Sequence, residues 1–335
     1  GVRGDYQAEK GISPLRLTIS SLAILILCVS YGLWKINIHK SMSSLVTPVR
    51  VALIQGNIEQ DQKWVPAYQE KTFNTYKDMT LAASKKGMDM IVWPETAAPF
   101  YFQRDRKYRQ RIFDLTKESG DYLLLGSLSS KYDSGKIQMF NSAFLVSPDS
   151  KITGKYDKIH LVPFGEYVPF HRFLPFVDKI VEGGIGDFEE GKDYTVMTIP
   201  GGRFGVLICY EVIFPDLVRR FVKNGAQFMV NITNDAWFGI SAASYQHISM
   251  VTLRAIENRV PIVRAANTGI SGIIDQTGRI VKETDIFVRT SIYGDIFPKA
   301  YRDTFFTAYG DIFAYICLFL TVVFFVTIRY DKKRR

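Results

Sequence analysis

Hydrophobic and polar positions follow two kinds of pattern along this chain. Residues 17–34 carry no charge and are apolar on every side, and residues 305–328 are nearly the same, with Asp311 close to their start. Each stretch is about the length needed to cross a bilayer core, roughly 20 residues at 1.5 Å per residue. Between them, short apolar runs bounded by turn residues alternate with longer amphipathic ones. The short runs predict strands at residues 49–55, 88–93, 122–126, 138–146, 151–156, 196–199, 204–208, 227–232, 262–266, 270–275, 279–283 and 290–295. The longer runs predict helices over 67–86, 106–118, 214–223 and 245–259. In the last of these Ile248, Val251, Thr252, Ala255 and Arg259 recur at helical spacing, and Pro261 ends the run. Pro148-Asp149-Ser150 and Gln276-Thr277-Gly278 read as hairpin turns. Alternating elements with hairpins at intervals imply an α/β domain, a mixed sheet flanked by helices.

The two end segments set the domain organisation. A signal peptide would show a short apolar core and a small-residue cleavage site, whereas residues 17–34 run on into Lys35-Ile36-Asn37-Ile38-His39-Lys40. The expected order is a leading segment 1–16, a transmembrane helix 17–36, a globular domain 45–300, a second transmembrane helix 305–328 and a basic tail 329–335. The tail, Arg329-Tyr330-Asp331-Lys332-Lys333-Arg334-Arg335, assigns both termini to the cytoplasmic side and the domain to the other face.

The net charge of +9 invites a nucleic-acid reading. The basic residues gather at the membrane flanks, however, with no Arg-rich recognition helix, so contact with anionic lipid explains them. Cys28 and Cys317 fall in the expected spans, which leaves Cys209 alone in the domain and excludes a disulfide within it. His39, His160, His171 and His247 show no metal-ligand spacing, so neither a metal nor a cofactor is expected.

Two polar residues that end apolar runs, and a third set among apolar positions, are candidates for chemistry. Cys209 closes Gly205-Val206-Leu207-Ile208-Cys209-Tyr210-Glu211, and a helix start follows at Pro215-Asp216. A thiol at a strand end before a helix is where an α/β enzyme presents a nucleophile, although a free Cys is more often a small buried hydrophobe. Glu95 follows the run Met90-Ile91-Val92-Trp93-Pro94, where a lone carboxylate is ordinarily a solvated loop acid. Lys158 lies among apolar and aromatic positions in Tyr156-Asp157-Lys158-Ile159-His160, and lysines there usually snorkel to the surface.

Taken together, Glu95, Lys158 and Cys209 in this order resemble the carbon–nitrogen hydrolase (nitrilase) superfamily. The chain is closer still to one membrane branch, the apolipoprotein N-acyltransferases. The carrying stretches are Val51-Ala52-Leu53-Ile54-Gln55-Gly56-Asn57, Trp93-Pro94-Glu95-Thr96, Lys158-Ile159-His160-Leu161-Val162-Pro163-Phe164-Gly165-Glu166-Tyr167-Val168-Pro169, Ile208-Cys209-Tyr210-Glu211 and Asn231-Ile232-Thr233-Asn234-Asp235-Ala236-Trp237-Phe238-Gly239. The resemblance spans roughly residues 48–300 and both hydrophobic ends. It implies an α-β-β-α sandwich inserted between two transmembrane helices, with the domain in the periplasm of a bacterial inner membrane. It also implies further membrane helices ahead of residue 17, so that this is the C-terminal part of a longer, multi-pass protein.

The implied activity is ping-pong acyl transfer through a Cys209 thioester. The donor is a phospholipid, phosphatidylethanolamine, and the acceptor is the N-terminal amine of a diacylated apolipoprotein. Glu95 would be the base, and Lys158 would stabilise the thiolate and the oxyanion together with the N–H of Tyr210. Glu166 would orient Lys158 or share the acid–base work, unless it is a loop carboxylate. Glu211 would neighbour the site or brace its loop. Trp64, Phe164, Tyr167 and Asn231 would contact substrate, although Trp64 could equally be core, and Asn231, like Asn234, could simply satisfy backbone groups. The aromatic stretch 167–177 and Pro99-Phe100-Tyr101-Phe102 would dip into lipid, the alternative being a packed lid. The rival activity is a membrane-tethered amidase using the same three residues on a small amide. A scaffold that binds lipoproteins without catalysis would leave the filled triad unexplained.

Overall fold

The short apolar runs of the central region pair into two sheets. In the computed structural model the described residues are 13–43, 46–59, 65–133, 135–167, 188–300 and 303–334. The chain divides into two units, residues 1–46 and 47–335. The described residues of the first include the helix α1 (Pro14–Ser43). The second begins with β1 (Val49–Gln55), α2 (Pro66–Ser84), β2 (Met90–Val92), β3 (Ala98–Tyr101), α3 (Arg106–Ser119), β4 (Tyr122–Asp133), β5 (Lys136–Val146) and β6 (Ile152–Asp157). It continues with β7 (Val196–Ile199), β8 (Gly202–Ile208), α4 (Pro215–Lys223), β9 (Phe228–Thr233), α5 (Ala243–Asn258), β10 (Ile262–Ala266), β11 (Gly272–Ile274), β12 (Ile280–Glu283) and β13 (Thr290–Ile296). Two helices close it, α6 (Phe305–Tyr309) and α7 (Ile312–Arg334).

One sheet runs β13-β1-β2-β4-β5-β6 with β3 beside β4, and the other runs β12-β11-β10-β9-β8-β7. Each has a parallel centre, β1/β2/β4 in one and β8/β9/β10 in the other, with antiparallel strands at both ends of the order; β3 also pairs with β4 in parallel. Strands covered on both faces read as continuous apolar runs, and β1 shows the period of two within such a run. Val51 and Leu53 join the core that includes Val206 and Ile208 of the second sheet. Ala52 and Ile54 join the cluster of Phe73 and Tyr76 from α2 and Ile112 from α3. The result is helices, sheet, sheet, helices. Helix ends follow local chemistry: the Asp105 side chain accepts from the Tyr108 N–H at the start of α3, and Gly120 ends it at φ +74°.

Three differences from the sequence reading have physical causes. Strand β4 extends to Asp133 although its second half is rich in serine, because Ser127 Oγ donates to the Phe100 carbonyl (2.6 Å) and Ser129 Oγ meets Ser142 Oγ (2.7 Å). In the stretch Pro99-Phe100-Tyr101-Phe102, which belongs to β3 and its end, the two Phe rings turn inward and only Tyr101 is exposed. Phe100 stacks on Tyr108 at 4.5 Å and Phe102 meets Phe144 edge-on at 5.2 Å, both buried, so packing against α3 and β5 claims these rings. Of the stretch 167–177 only Tyr167 lies within the described residues.

The third difference is at the second apolar segment, which is divided. Gly310 at φ +69° breaks the chain between α6 and α7. Helix α6 belongs to the globular unit, since Thr307 is buried and its hydroxyl donates to Asn258 Oδ1 at 2.9 Å. The candidate span therefore begins at Ile312, after Asp311. By length and composition Pro14–Ile38 and Ile312–Asp331 can each cross a membrane.

Candidate active site

Glu95 lies in a turn just past β2, and its neighbour Thr96 is forced to φ +45°. Strand β4 passes directly beneath that turn at Gly126. A Cβ there would lie 2.6 Å from the Pro94 carbonyl oxygen and the Thr96 nitrogen, and 2.7 Å from Glu95 Cα. The carboxylate is buried and held at both oxygens: Oε1 accepts from Asn141 Nδ2 at 2.8 Å and Oε2 from the Asn234 N–H at 2.9 Å.

Lys158 follows β6. Its N–H donates to the Asn141 carbonyl (2.9 Å), its carbonyl accepts from the Gly191 N–H (2.7 Å), and its side chain is 1% exposed. Nζ donates to Glu166 Oε2 at 2.7 Å. Glu166 is held in turn by Asn141 Nδ2 on Oε1 (2.8 Å) and the Val162 N–H on Oε2 (2.9 Å). One amide, Asn141, therefore donates to both carboxylates. The sequence reading missed it; its only trace is a polar pair, Asn141-Ser142, inside an otherwise apolar run.

Cys209 follows β8 directly and opens a 3-10 turn, Cys209–Ile213, at φ +55°. That conformation costs a residue with a Cβ roughly 1–3 kcal/mol and persists only where its surroundings impose it. Here they do. Asn231 Nδ2 donates to the carbonyls of Leu207 (3.1 Å) and Cys209 (3.2 Å), while its Oδ1 accepts from Arg264. Expected to contact substrate, Asn231 is instead fully buried and committed to the main chain around the cysteine. Glu211 braces the loops: Oε1 accepts from the Tyr156 hydroxyl (2.8 Å) and the N–H groups of Ile159 (2.7 Å) and His160 (3.0 Å), and Oε2 from the Ile208 N–H (2.8 Å). It thereby ties the end of β8 to the segment that carries Lys158.

The charges face one another. Burial works against a charged Lys158, but Cys209, Glu95 and Glu166 around it raise its pKa above the ordinary lysine range. Burial and the nearby Glu95 push the Cys209 thiol up to about 12, against the pull of Lys158. Burial and Glu95 thus act against the preformed thiolate that Lys158 by itself would favour. Burial also raises Glu211, to about 7. A thiol with a fixed carboxylate and a fixed cation has the parts needed for nucleophilic attack on a carbonyl.

The other expected site residues are less engaged. Tyr210 is partly exposed and meets Phe214 edge-on at 5.9 Å. Phe164 is exposed at φ +60°, and its N–H donates to the Tyr167 carbonyl (2.8 Å). Trp64 lies outside the described residues. Among the described residues no three His, Cys, Asp or Glu side chains form a group that could hold a metal ion.

This arrangement has relatives. The family described as carbon-nitrogen hydrolase matches residues 50–304. An apolipoprotein N-acyltransferase of Geobacter metallireducens is 44% identical over 318 residues, 95% of this chain and 60% of the relative. One from Brucella melitensis is 36% identical, over 75% of this chain and 48% of the relative. The chain thus spans about half to three fifths of these relatives. Among solved structures, an amidase from Nesterenkonia sp. superposes with a TM-score of 0.56 at 18% identity, over 75% of this chain and 91% of that one. Saccharomyces cerevisiae Nit3, of the nitrilase superfamily, gives a TM-score of 0.56 at 20% identity, over 75% and 90%. These two show a shared fold. With the family match running from β1 to the start of α6 and taking in Glu95, Lys158 and Cys209, the chain belongs to the carbon–nitrogen hydrolase family.

Proposed function

We propose that this chain transfers a fatty acyl group from a membrane phospholipid, phosphatidylethanolamine, to the N-terminal amine of a diacylglyceryl-cysteine on an apolipoprotein. The observation that supports this most is a buried Glu95–Asn141–Glu166–Lys158 network facing a lone domain thiol, in a chain 44% identical to a named apolipoprotein N-acyltransferase. The solved amidases share the fold at 18% identity and do not argue for amide hydrolysis.

In the first half-reaction Glu95 takes the Cys209 proton as Sγ attacks the ester carbonyl. Burial and the Glu95 carboxylate both oppose a free thiolate, so the proton leaves as the bond to carbon forms. The oxyanion is stabilised by the Lys158 ammonium and the Tyr210 N–H, each donor of this kind contributing about 3 kcal/mol. Collapse releases the lysophospholipid alkoxide, to which Glu95 returns its proton, and leaves a thioester. In the second half the acceptor amine attacks, Glu95 removes its proton, and the departing Sγ regains it. Glu166 holds Lys158 in place, Glu211 holds the loops together, and Trp64, Phe164 and Tyr167 contact the acyl chain. The two apolar helices are read as spans of a bacterial inner membrane, with the basic tail in the cytoplasm and residues 45–300 in the periplasm.

The test is the intact mass of the protein in detergent after incubation with phosphatidylethanolamine and no acceptor, beside Cys209→Ala. A fatty-acyl mass increase, missing from the variant and discharged by a diacylated lipopeptide, is the expected result. No adduct, with turnover of small amides instead, overturns the reading in favour of a tethered amidase. Function retained by Cys209→Ala would overturn both.

A further inference from the structure

The chemistry above makes no direct use of a fully buried arginine behind the nucleophile. Arg264 is 0% exposed, and the parallel register of β10 on β9 sets it beside Asn231. Its Nε donates to the Ile270 carbonyl (3.1 Å), Nη1 to Asn231 Oδ1, and Nη2 to Asp235 Oδ2 (2.6 Å), with His247 Nδ1 3.0 Å from Nη2. Asp235 is equally buried. Its other oxygen accepts from Thr233 Oγ1 (3.0 Å) and lies 3.2 Å from His247 Nδ1. The backbone closes over this carboxylate at Gly269, where a Cβ would come within 2.2 Å of Oδ2. Burying two charges is expensive, and well-packed apolar residues often serve stability as well or better. The pair therefore calls for a role beyond stability.

Both ends of the pair reach Cys209. Asn231, gripped by Arg264, donates to the Cys209 carbonyl; Thr233, which donates to Asp235, follows Ile232 as Cys209 follows Ile208, the last pair of the parallel β8/β9 register, and so lies beside the cysteine on the next strand. We propose that Arg264 and Asp235 form a positioning unit for Cys209, holding its main chain through Asn231 and presenting through Thr233 a hydroxyl that follows the charge on Sγ. The proposal rests on the reading of Cys209 as nucleophile. The hydroxyl carries a single hydrogen. In the thiol state that hydrogen goes to Asp235 Oδ1, and the oxygen is free to accept from S–H. When the thiol proton passes to Glu95, the hydroxyl turns and donates to Sγ, while Asp235 keeps Arg264.

The charged and titratable groups facing the thiol are Glu95 from the turn after β2, Lys158 from the segment after β6 and Asp235 from the turn after β9. His247 of α5 faces the Cys209 main chain. The carboxylate of Asp235 opposes a negative Sγ, and Arg264 offsets that carboxylate. Removing one or the other should therefore shift thiol reactivity in opposite directions, which a merely structural pair would not do.

The experiment is alkylation of Cys209 by iodoacetamide over a pH series, on the intact chain, with the modified peptide quantified by mass spectrometry apart from those of Cys28 and Cys317. Asp235→Asn should move the midpoint down and Arg264→Gln should move it up, each by about one pH unit, roughly tenfold in rate on the rising limb. Thr233→Val should move it up, and Thr233→Ser should restore the original profile. The proposal is overturned if the two charge variants move the midpoint the same way, or if Thr233→Val leaves it in place. Should the charge variants fail to fold, the Val and Ser pair decides alone. Alkylation reads the thiol without any substrate, whereas the acyl-adduct comparison with Cys209→Ala reads the nucleophile assignment, so the two ideas fail separately.

Discussion

Replacing Gly126 with alanine tests whether the Glu95 turn must rest directly on β4. The new methyl would sit 2.6 Å from both the Pro94 carbonyl oxygen and the Thr96 nitrogen, and 2.7 Å from Glu95 Cα. All three are main-chain atoms, so no side chain can swing aside to relieve the contact. The turn must lift by roughly 0.8–0.9 Å to reach ordinary contacts of about 3.5 Å. That movement pulls Glu95 away from Asn141 Nδ2 and the Asn234 N–H, now at 2.8 and 2.9 Å. Overpacking of this kind costs about 1–3 kcal/mol of stability, and a displacement near 1 Å at a reacting group can cost roughly 100-fold in rate. The assay is the rate of acyl-enzyme formation by intact mass, with a thermal melt on the same sample. Gly154→Ala is the matched control: its Cβ would meet Met197 Cγ at 2.8 Å, a flexible side chain that can move. If Gly126→Ala forms the adduct at the rate of the unaltered protein, the claim that β4 positions Glu95 is refuted.

Asn141→Leu removes the donor shared by two buried carboxylates and should cost about 3 kcal/mol of stability, at roughly 1.5 kcal/mol or more per bond to a charged group. It should also slow acyl-enzyme formation; a melt and an adduct rate equal to those of the unaltered protein would refute the bridging role. Glu211 makes a pH-dependent contribution. Its folded pKa of about 7 lies above the ordinary 4.5, so the folded state binds the proton more tightly than the unfolded chain does. Its stabilising contribution is full below about 4.5 and fades as pH rises toward 7, a change of roughly 3 kcal/mol. Chemical denaturation across that window should show the fall, and Glu211→Gln should flatten it while lowering stability at the acid end.

Local pattern in the chain was enough to establish the apolar runs, their turns and the polar residue closing each one, because burial of a strand on both faces imposes its apolar composition. Glu95 and Cys209 were legible for that reason: each ends such a run, and the family resemblance supplied Lys158 beside them. What periodicity could not report is anything held by partners distant in the chain. Strand β4 continues through serines because the carbonyl of Phe100 and the hydroxyl of Ser142 satisfy them from neighbouring strands. Phe100 and Phe102 looked like residues reaching for lipid until α3 and β5 covered them. Asn141 sits in mid-strand with no local sign of its role, and only the pairing of β5 with β4 and β6 brings it between Glu95 and Glu166. Arg264, Asp235 and Thr233 became one unit through the register of β9 and β10. The sequence by itself determined which residues are available for chemistry and where each strand stops; the tertiary structure decided which of them meet, since a hydrogen bond across two sheets depends on register and packing that no local window contains.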